Sequence, residues 1–274
     1  MITTEALEML AASQATSAAN DSIDTALVNP AAAVALPNNF AVHDLERYLQ
    51  KRRRARGTMQ TSDIASFARY TVAHHDVGAT VFVSDDIKAT AVLNLGTVDH
   101  PGHADDTAVL TGLKTAAFTA LLAIDGQPRS QRDTAEFIED WAEHIECLNS
   151  APIPLGQALA AIRKLTIDAA RKSTTSSSNL AESRSAFESV EVSSEDPVPE
   201  LVYFTCAPYH GLSGQVFQLR LSVLTAGDKP MLVLRIKQLQ QHVEEMREEL
   251  QELVRAALKD APELTVVSGT YKAA

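Results

Sequence analysis

The stretch "QVFQLRLSVL" (residues 215–224), followed by "TAGDKP" (225–230) and "MLVLRIKQL" (231–239), decides the fold class. Phe217, Leu219, Leu221 and Val223 alternate with Val216, Gln218, Arg220 and Ser222. That two-residue period marks an antiparallel strand with one face in a core and one in water. "TAGDKP" reads as the hairpin turn that returns the chain into a second strand.

On either side of this hairpin, "LVYFTC" (201–206) is a further strand, "QHVEEMREELQELVRAAL" (241–258) a helix and "ELTVVSGTY" (263–271) a terminal strand. Upstream, "GATVFVSDDIKATAVLNLGT" holds two β-rich runs, 79–84 and 88–95, joined at Asp85-Asp86. "TAVLTGL" (107–113) adds a strand, and "KTAAFTALLAI" (114–124) a helix that Asp125-Gly126 ends. "PRSQRDTAEFIEDWAEHIECL" (128–148) predicts a helix starting at Ser130, with Asp133 three residues on and a buried face of Ala135, Phe137, Ile138, Trp141 and Ile145. Another helix is expected from about Leu155. "TSDIASFARYTVAHHD" (61–76) predicts a helix capped at Thr61 or Ser62, with Asp63 in its first turn. It buries Ile64, Phe67, Ala68 and Val72 and ends near His74. No run of βαβ units occurs. The expected class is α+β, antiparallel β regions packed with amphipathic helices and a long C-terminal helix.

Four stretches follow from this reading. Residues 1–40, which contain no Lys or Arg, are expected to form a short helix capped at Thr4, with Leu7 and Leu10 on one face, then a linker and an extended arm. Residues 41–172 are an α+β region. Residues 173–199 are a polar linker or loop, in which "AFESVEVSS" (186–194) reads as a strand. Residues 200–274 are antiparallel strands with the C-terminal helix.

The chain has 274 residues, is 45% hydrophobic and 22% charged, and carries a formal net charge of -11. This is a globular composition whose acidity argues against indiscriminate nucleic-acid binding over the whole surface. No apolar run reaches the roughly 20 residues that cross a bilayer, and the N-terminus has no basic-then-apolar leader pattern. A membrane is therefore not expected as a partner, and a cytoplasmic location is. Cys147 and Cys206 have no CxxC partner and are expected as reduced, small apolar residues.

Motifs for chemistry are sparse. No phosphate loop, GxGxxG, GxSxG or HExxH is present. "HHD" (His74, His75, Asp76), "HPGHADD" (His100, His103, Asp105, Asp106) and "SDD" (Ser84, Asp85, Asp86) could offer ligands or paired carboxylates. A helix end, a solvated loop and a hairpin turn account for them more simply. No catalytic residue, metal site or cofactor is implied. "KRRRARG" concentrates Lys51, Arg52, Arg53, Arg54 and Arg56 between an expected short helix with Val42, Leu45, Tyr48 and Leu49 on one face and the helix that follows. Such a run can hold phosphates, or it can be a solvated helix end or a contact to an acidic surface. It is the candidate polyanion- or partner-binding site. Leu239, Val243, Met246, Leu250 and Leu253 repeat at steps of four and three, a candidate oligomerisation seam that could equally pack on the chain's own sheet.

Five segments, "RGTMQTSDIASFARYTVAHH", "TVFVSDDIKATAVLNLG", "DDTAVLTGL", "SQRDTAEFIEDWAEHI" and "VFQLRLSVLTAGDKPMLVLRIKQL", together resemble the YfdQ-like family of phage and prophage proteins. The resemblance covers roughly residues 40–240 and is carried most specifically by "SQRDTAEFIED". It implies a setting in phage genomes within a bacterial host cell, and it supplies no catalytic residues to carry over.

The expectation is a phage-encoded, non-enzymatic accessory protein that binds and self-assembles. It would support phage DNA metabolism or recombination, or counteract a host defence system. It would be a homo-oligomer with nucleic acid or a host protein as partner. The alternatives are a metal-dependent nuclease or hydrolase using Asp85, Asp86, His100, His103, Asp105 or Asp106, and a structural assembly protein.

Overall fold

The computed structural model describes residues 3–28, 46–149, 151–165, 198–224 and 230–272. The chain divides into two compact units, Met1–Ala55 and Arg56–Ala274.

The first unit carries helix α1, Thr4–Val28, and one 3-10 turn, Glu46–Tyr48. Helix α1 is longer than its sequence suggests. Thr3, rather than Thr4, caps it: the Ala6 N–H reaches the Thr3 carbonyl at 3.0 Å and its hydroxyl at 3.4 Å. The small polar stretch read as a linker continues the helix. Its hydroxyls turn back onto helix carbonyls, Thr16 to Ala12 and Ser22 to Ala18, each at 2.8 Å. Leu7, Met9 and Leu10 are all more than half exposed. The arm expected up to residue 40 lies outside the described residues, as do Val42 and Leu45. What is described of the expected helix before the basic run is only the 3-10 turn.

The second unit holds two sheets. The first has the order β1-β4-β3-β2-β11, with β1 Gly57–Thr61, β2 Thr80–Ser84, β3 Lys88–Val92, β4 Asp106–Thr111 and β11 Thr265–Ser268. The β2–β3 and β3–β4 pairs are antiparallel, as expected, whereas β1–β4 and β11–β2 are parallel. Strand β1 was not legible in "GTMQT". Helix α2, Ile64–His74, and helix α6, Leu239–Ala257, pack on this sheet. Its buried face is small, with Val81, Val83, Ala89, Ala91, Ala108 and Leu110, which lets the helices come close.

Asp63 caps α2, accepting the Ser66 N–H at 2.7 Å, and hydrogen bonding from the Ser66 side chain and then its backbone holds the carboxyl below the usual value. Thr71 is buried on this helix where Val72 was expected, and Val72 is exposed. The Thr71 hydroxyl has no hydrogen-bond partner among the described residues.

The second sheet is antiparallel throughout, order β5-β10-β9-β8-β6-β7. Its strands are β5 Pro128–Ser130, β6 Ile145–Leu148, β7 Pro152–Ile153, β8 Leu201–Cys206, β9 Gln215–Leu224 and β10 Met231–Ile236. Helices α3 Ala116–Ile124, α4 Gln131–Asp140 and α5 Leu155–Lys164 pack against it. Ser130 caps α4 as read, accepting the Asp133 N–H at 3.1 Å. Helix α4 stops at Asp140, short of the expected Ile145. Trp141 and a 3-10 turn, Ala142–His144, divert the chain, and Ile145 opens β6 instead. His144 pins this turn, bonding the Thr205 carbonyl at 2.7 Å and stacking on Phe204.

Phe204 and Phe217 sit opposite each other on β8 and β9. Phe204 meets Phe137 of α4, whereas Phe217 meets Phe118 of α3 and His242 of α6. One core therefore spans both sheets. Residues before 165 supply β5, β6 and β7 to the second sheet, and residues after 198 supply β11 to the first. The two stretches either side of residues 173–199 are one unit rather than neighbours in sequence. The expected strand at 186–194 and the turn at 225–229 lie outside the described residues.

We expect Phe217→Ala to lower the unfolding free energy in urea by about 3–5 kcal/mol. Val216→Ala, one residue along and half exposed, should change it by less than about 0.5 kcal/mol. Thr71→Val should be neutral or stabilising, because it removes a buried hydroxyl without a partner. Equal losses at 216 and 217 would contradict this burial pattern.

Candidate anion-binding face

With Phe217, Leu219 and Leu221 packed inward, Val216, Gln218, Arg220 and Ser222 stand on the outer face of the second sheet. Strand β10 obeys the same rule. Leu232, Leu234 and Ile236 are buried, so Arg235 faces outward and Lys237 follows it at the strand end. The register then places Arg220 directly opposite Arg235. Both are exposed, and neither has a carboxylate partner among the described residues. Like charges directly opposed on neighbouring strands destabilise a sheet. Gln218, Arg220, Arg235, Ile236, Lys237 and Gln238 line a shallow groove here.

Gln238, at the groove's rim, turns the chain from β10 into α6 with φ at +54°. A left-handed backbone is costly for any residue but glycine, and such strain is found preferentially at ligand sites. On the next strand across, Tyr203 stands beside Gln218, whose amide donates to the Tyr203 hydroxyl at 3.2 Å. Glu146 on β6 pairs with Tyr203 and closes the face with the opposite charge. Across the sheet the order is therefore cation, amide, aromatic ring, carboxylate. The arrangement can hold an oxyanion between two planar guanidiniums, each able to give two parallel hydrogen bonds.

The residues chosen from sequence fall elsewhere. Lys51, Arg52, Arg53 and Arg54 belong to the first unit and Arg56 opens the second. Lys51, Arg52, Arg53 and Arg56 are exposed, Arg54 is partly buried, and the run is irregular rather than helical. The Arg53 backbone N–H is held by the Glu46 carboxylate at 3.2 Å.

The acid and histidine motifs do not converge. Asp85 pairs with Arg247 at 2.7 Å, and Asp86 accepts from Ser84. These lie beyond the Thr111 end of β4, because Thr111 pairs with Lys88. Asp105 accepts the Asn94 amide at 2.9 Å and Asp106 begins β4, so the two carboxylate pairs are separated by a strand of about 17 Å. His75 bridges the Val72 carbonyl and Glu263, and the His74 ring lies tilted against that of Tyr70. His100 and His103 are exposed in the loop before β4. Among the described residues no group of three His, Cys, Asp or Glu side chains could hold a metal ion.

The family model for an uncharacterized conserved protein, DUF2303, matches residues 3–271. The chain belongs to the DUF2303 family. No curated protein and no solved structure matches it. For this DUF2303 member the candidate face therefore rests on geometry. No described helix is long and apolar enough to cross a membrane.

Most residues of the expected oligomerisation seam lie against the unit's own core. Met246 and Leu250 are buried in the unit's own core, and Leu239 and Leu253 pack against it. Val243 is partly buried on the same helix. These residues hold α6 onto the first sheet, and Met246 and Leu250 have no surface left for a second copy. The outer cations were missed because Arg220 and Arg235 lie fifteen positions apart. Only the hairpin register makes them neighbours, and that register could have been built from the alternation itself.

Burial pushes the Cys147 and Cys206 thiols up to about 11. Folding favours their protonated form, so this contribution to stability is complete below the ordinary thiol range and is lost as the pH climbs through about 11. Both thiols should resist alkylation at pH 8 until the protein unfolds. This makes an engineered pair readable. Under mild oxidation Arg220→Cys with Arg235→Cys should form an intramolecular disulfide. Gln218→Cys with Arg235→Cys, diagonally offset, should not. Mass spectrometry distinguishes them, and the reverse result would reject the register.

Proposed function

We propose that this protein acts by binding, and that its ligand is a polyanion taken on the outer face of the second sheet. The observation that supports this most is the Arg220–Arg235 pair, two opposed guanidiniums beside Lys237 without a carboxylate partner among the described residues. In a chain with a net charge of -11, carboxylates to neutralise them are abundant. Arg247, Arg163 and Arg132 all have such partners. A face that keeps its cations apart from so many acids is suited to an anion from outside.

The resemblance to YfdQ-like proteins extends this reading to a setting. The protein is a phage- or prophage-encoded accessory factor in the host cytoplasm, supporting phage DNA metabolism or recombination or counteracting a host defence system. It assembles as a homo-oligomer, for which the exposed Leu7, Met9 and Leu10 of α1 offer apolar surface in place of the buried α6 seam. The basic run at Lys51–Arg56 is an auxiliary contact for the same class of partner.

Chromatography on immobilised heparin and on immobilised DNA tests the binding claim. Full-length protein should be retained at low salt and released as salt rises. Arg220→Glu with Arg235→Glu should abolish retention. Charge reversal at Arg52, Arg53 and Arg54 should reduce it by less. Retention unaffected by the β9–β10 reversal would overturn the proposal.

A further inference from the structure

The geometry points to an extended nucleic-acid single strand as the occupant of this face, an inference that rests on the polyanion reading above. Three features of the face select it over duplex.

The first is width. Along the row of Lys237, Gln218, Tyr203 and Glu146 four strands lie side by side about 4.8 Å apart, a platform of roughly 14 Å, wider than a major groove. Helices α3, α4 and α5 pack on the other side of the sheet, and no described element projects from the cationic side to enter a groove. A single strand needs no such projection, because it can lie along the surface.

The second is the order of side chains across the strands. Arg235 and Lys237 lie on and just beyond β10, Arg220 and Gln218 on β9, Tyr203 on β8 and Glu146 on β6. One strand spacing, about 5 Å, separates Arg220 from the ring's strand, and two, about 10 Å, separate Arg235 and Lys237 from it. Phosphates placed over β9 and β10 would direct their bases toward Tyr203. Glu146, beyond the ring, repels phosphate and favours that direction over its reverse. A featureless polyanion would use only the cationic half.

The third is the tyrosine itself. Its hydroxyl is engaged by Gln218, which fixes the ring on the outer face without covering the whole of it. Base stacking on an aromatic ring, combined with a cationic track for the backbone, is the mode by which single strands are bound with little sequence preference. The shared chemistry is a phosphodiester backbone with unpaired bases, whichever sugar it carries.

Fluorescence anisotropy with full-length protein tests this, using labelled dT20, rU20 and a dT20·dA20 duplex. At least one single strand should bind at least tenfold tighter than the duplex, and the dT20 and rU20 arms show which sugar is preferred. Three phosphate contacts at about 0.7 each give a log–log salt slope near -2. Tyr203→Leu should weaken the single strand about fivefold or more and leave heparin retention unchanged, because heparin has no bases. Tyr203→Trp should retain or tighten binding, which separates loss of stacking from loss of fold. If heparin is retained but duplex binds as well as single strand, or Tyr203→Leu changes nothing, the single-strand assignment fails and the polyanion reading survives. If neither heparin nor any oligonucleotide is retained, both fall.

Discussion

The inner face of β9 accepts only apolar side chains. Phe217, Leu219 and Leu221 are fully buried there, between the helices and the neighbouring strands. A strand has a period of two, so a slip of one residue would put Gln218 and Arg220 into that core. The cost of burying an unpaired guanidinium forbids the slip. The position of Arg220 on the surface is thus enforced from below. The same argument applied to Leu232, Leu234 and Ile236 fixes Arg235. Their meeting across β9 and β10 follows from packing and not from any attraction between them.

That origin explains why the pair persists although it repels. Relief would require replacing one arginine, since neither can rotate to the other face. Ion pairs form elsewhere, with Arg163 on Glu139, Arg247 on Asp85 and His75 on Glu263. The outer face of the second sheet has none among its described cations. It combines repulsion at Arg220 and Arg235 with a left-handed Gln238 at the same rim. The same left-handed φ recurs at Ile87 and Ala104, so it is the opposed arginines that set this face apart.

Much of the second unit was legible because its signals are local. The alternation in β9, the Ser130 cap, the Asp125-Gly126 stop and the Asp85-Asp86 turn each lie within a few residues of what they specify. The readings that failed depended on distant partners. "GTMQT" is a strand only because β4 lies beside it, and β11 joins β2 in parallel from the far end of the chain. Ile145 fits a helical face by spacing, but β8 captures it as a strand. The small polar residues of α1 looked like a linker until their hydroxyls found helix carbonyls. The seam on α6 has the spacing of an assembly surface. The helix buries Met246 and Leu250 internally, a choice that spacing alone cannot reveal. For the candidate site the lesson is similar. The densest basic run drew attention by adjacency in sequence, whereas the opposed arginines are adjacent only in the sheet.

A double-mutant cycle between Arg220 and Arg235, read as unfolding free energy in urea at low salt, measures their repulsion itself. If the two guanidiniums oppose each other, Arg220→Thr should stabilise the protein while Arg235 is present and lose that benefit once Arg235→Thr is made. The unfavourable coupling should be roughly 0.2–1 kcal/mol, the scale of cross-strand pairs, and should shrink as salt is added. A coupling of zero, or a favourable one, would mean that the two residues do not share the face described for them.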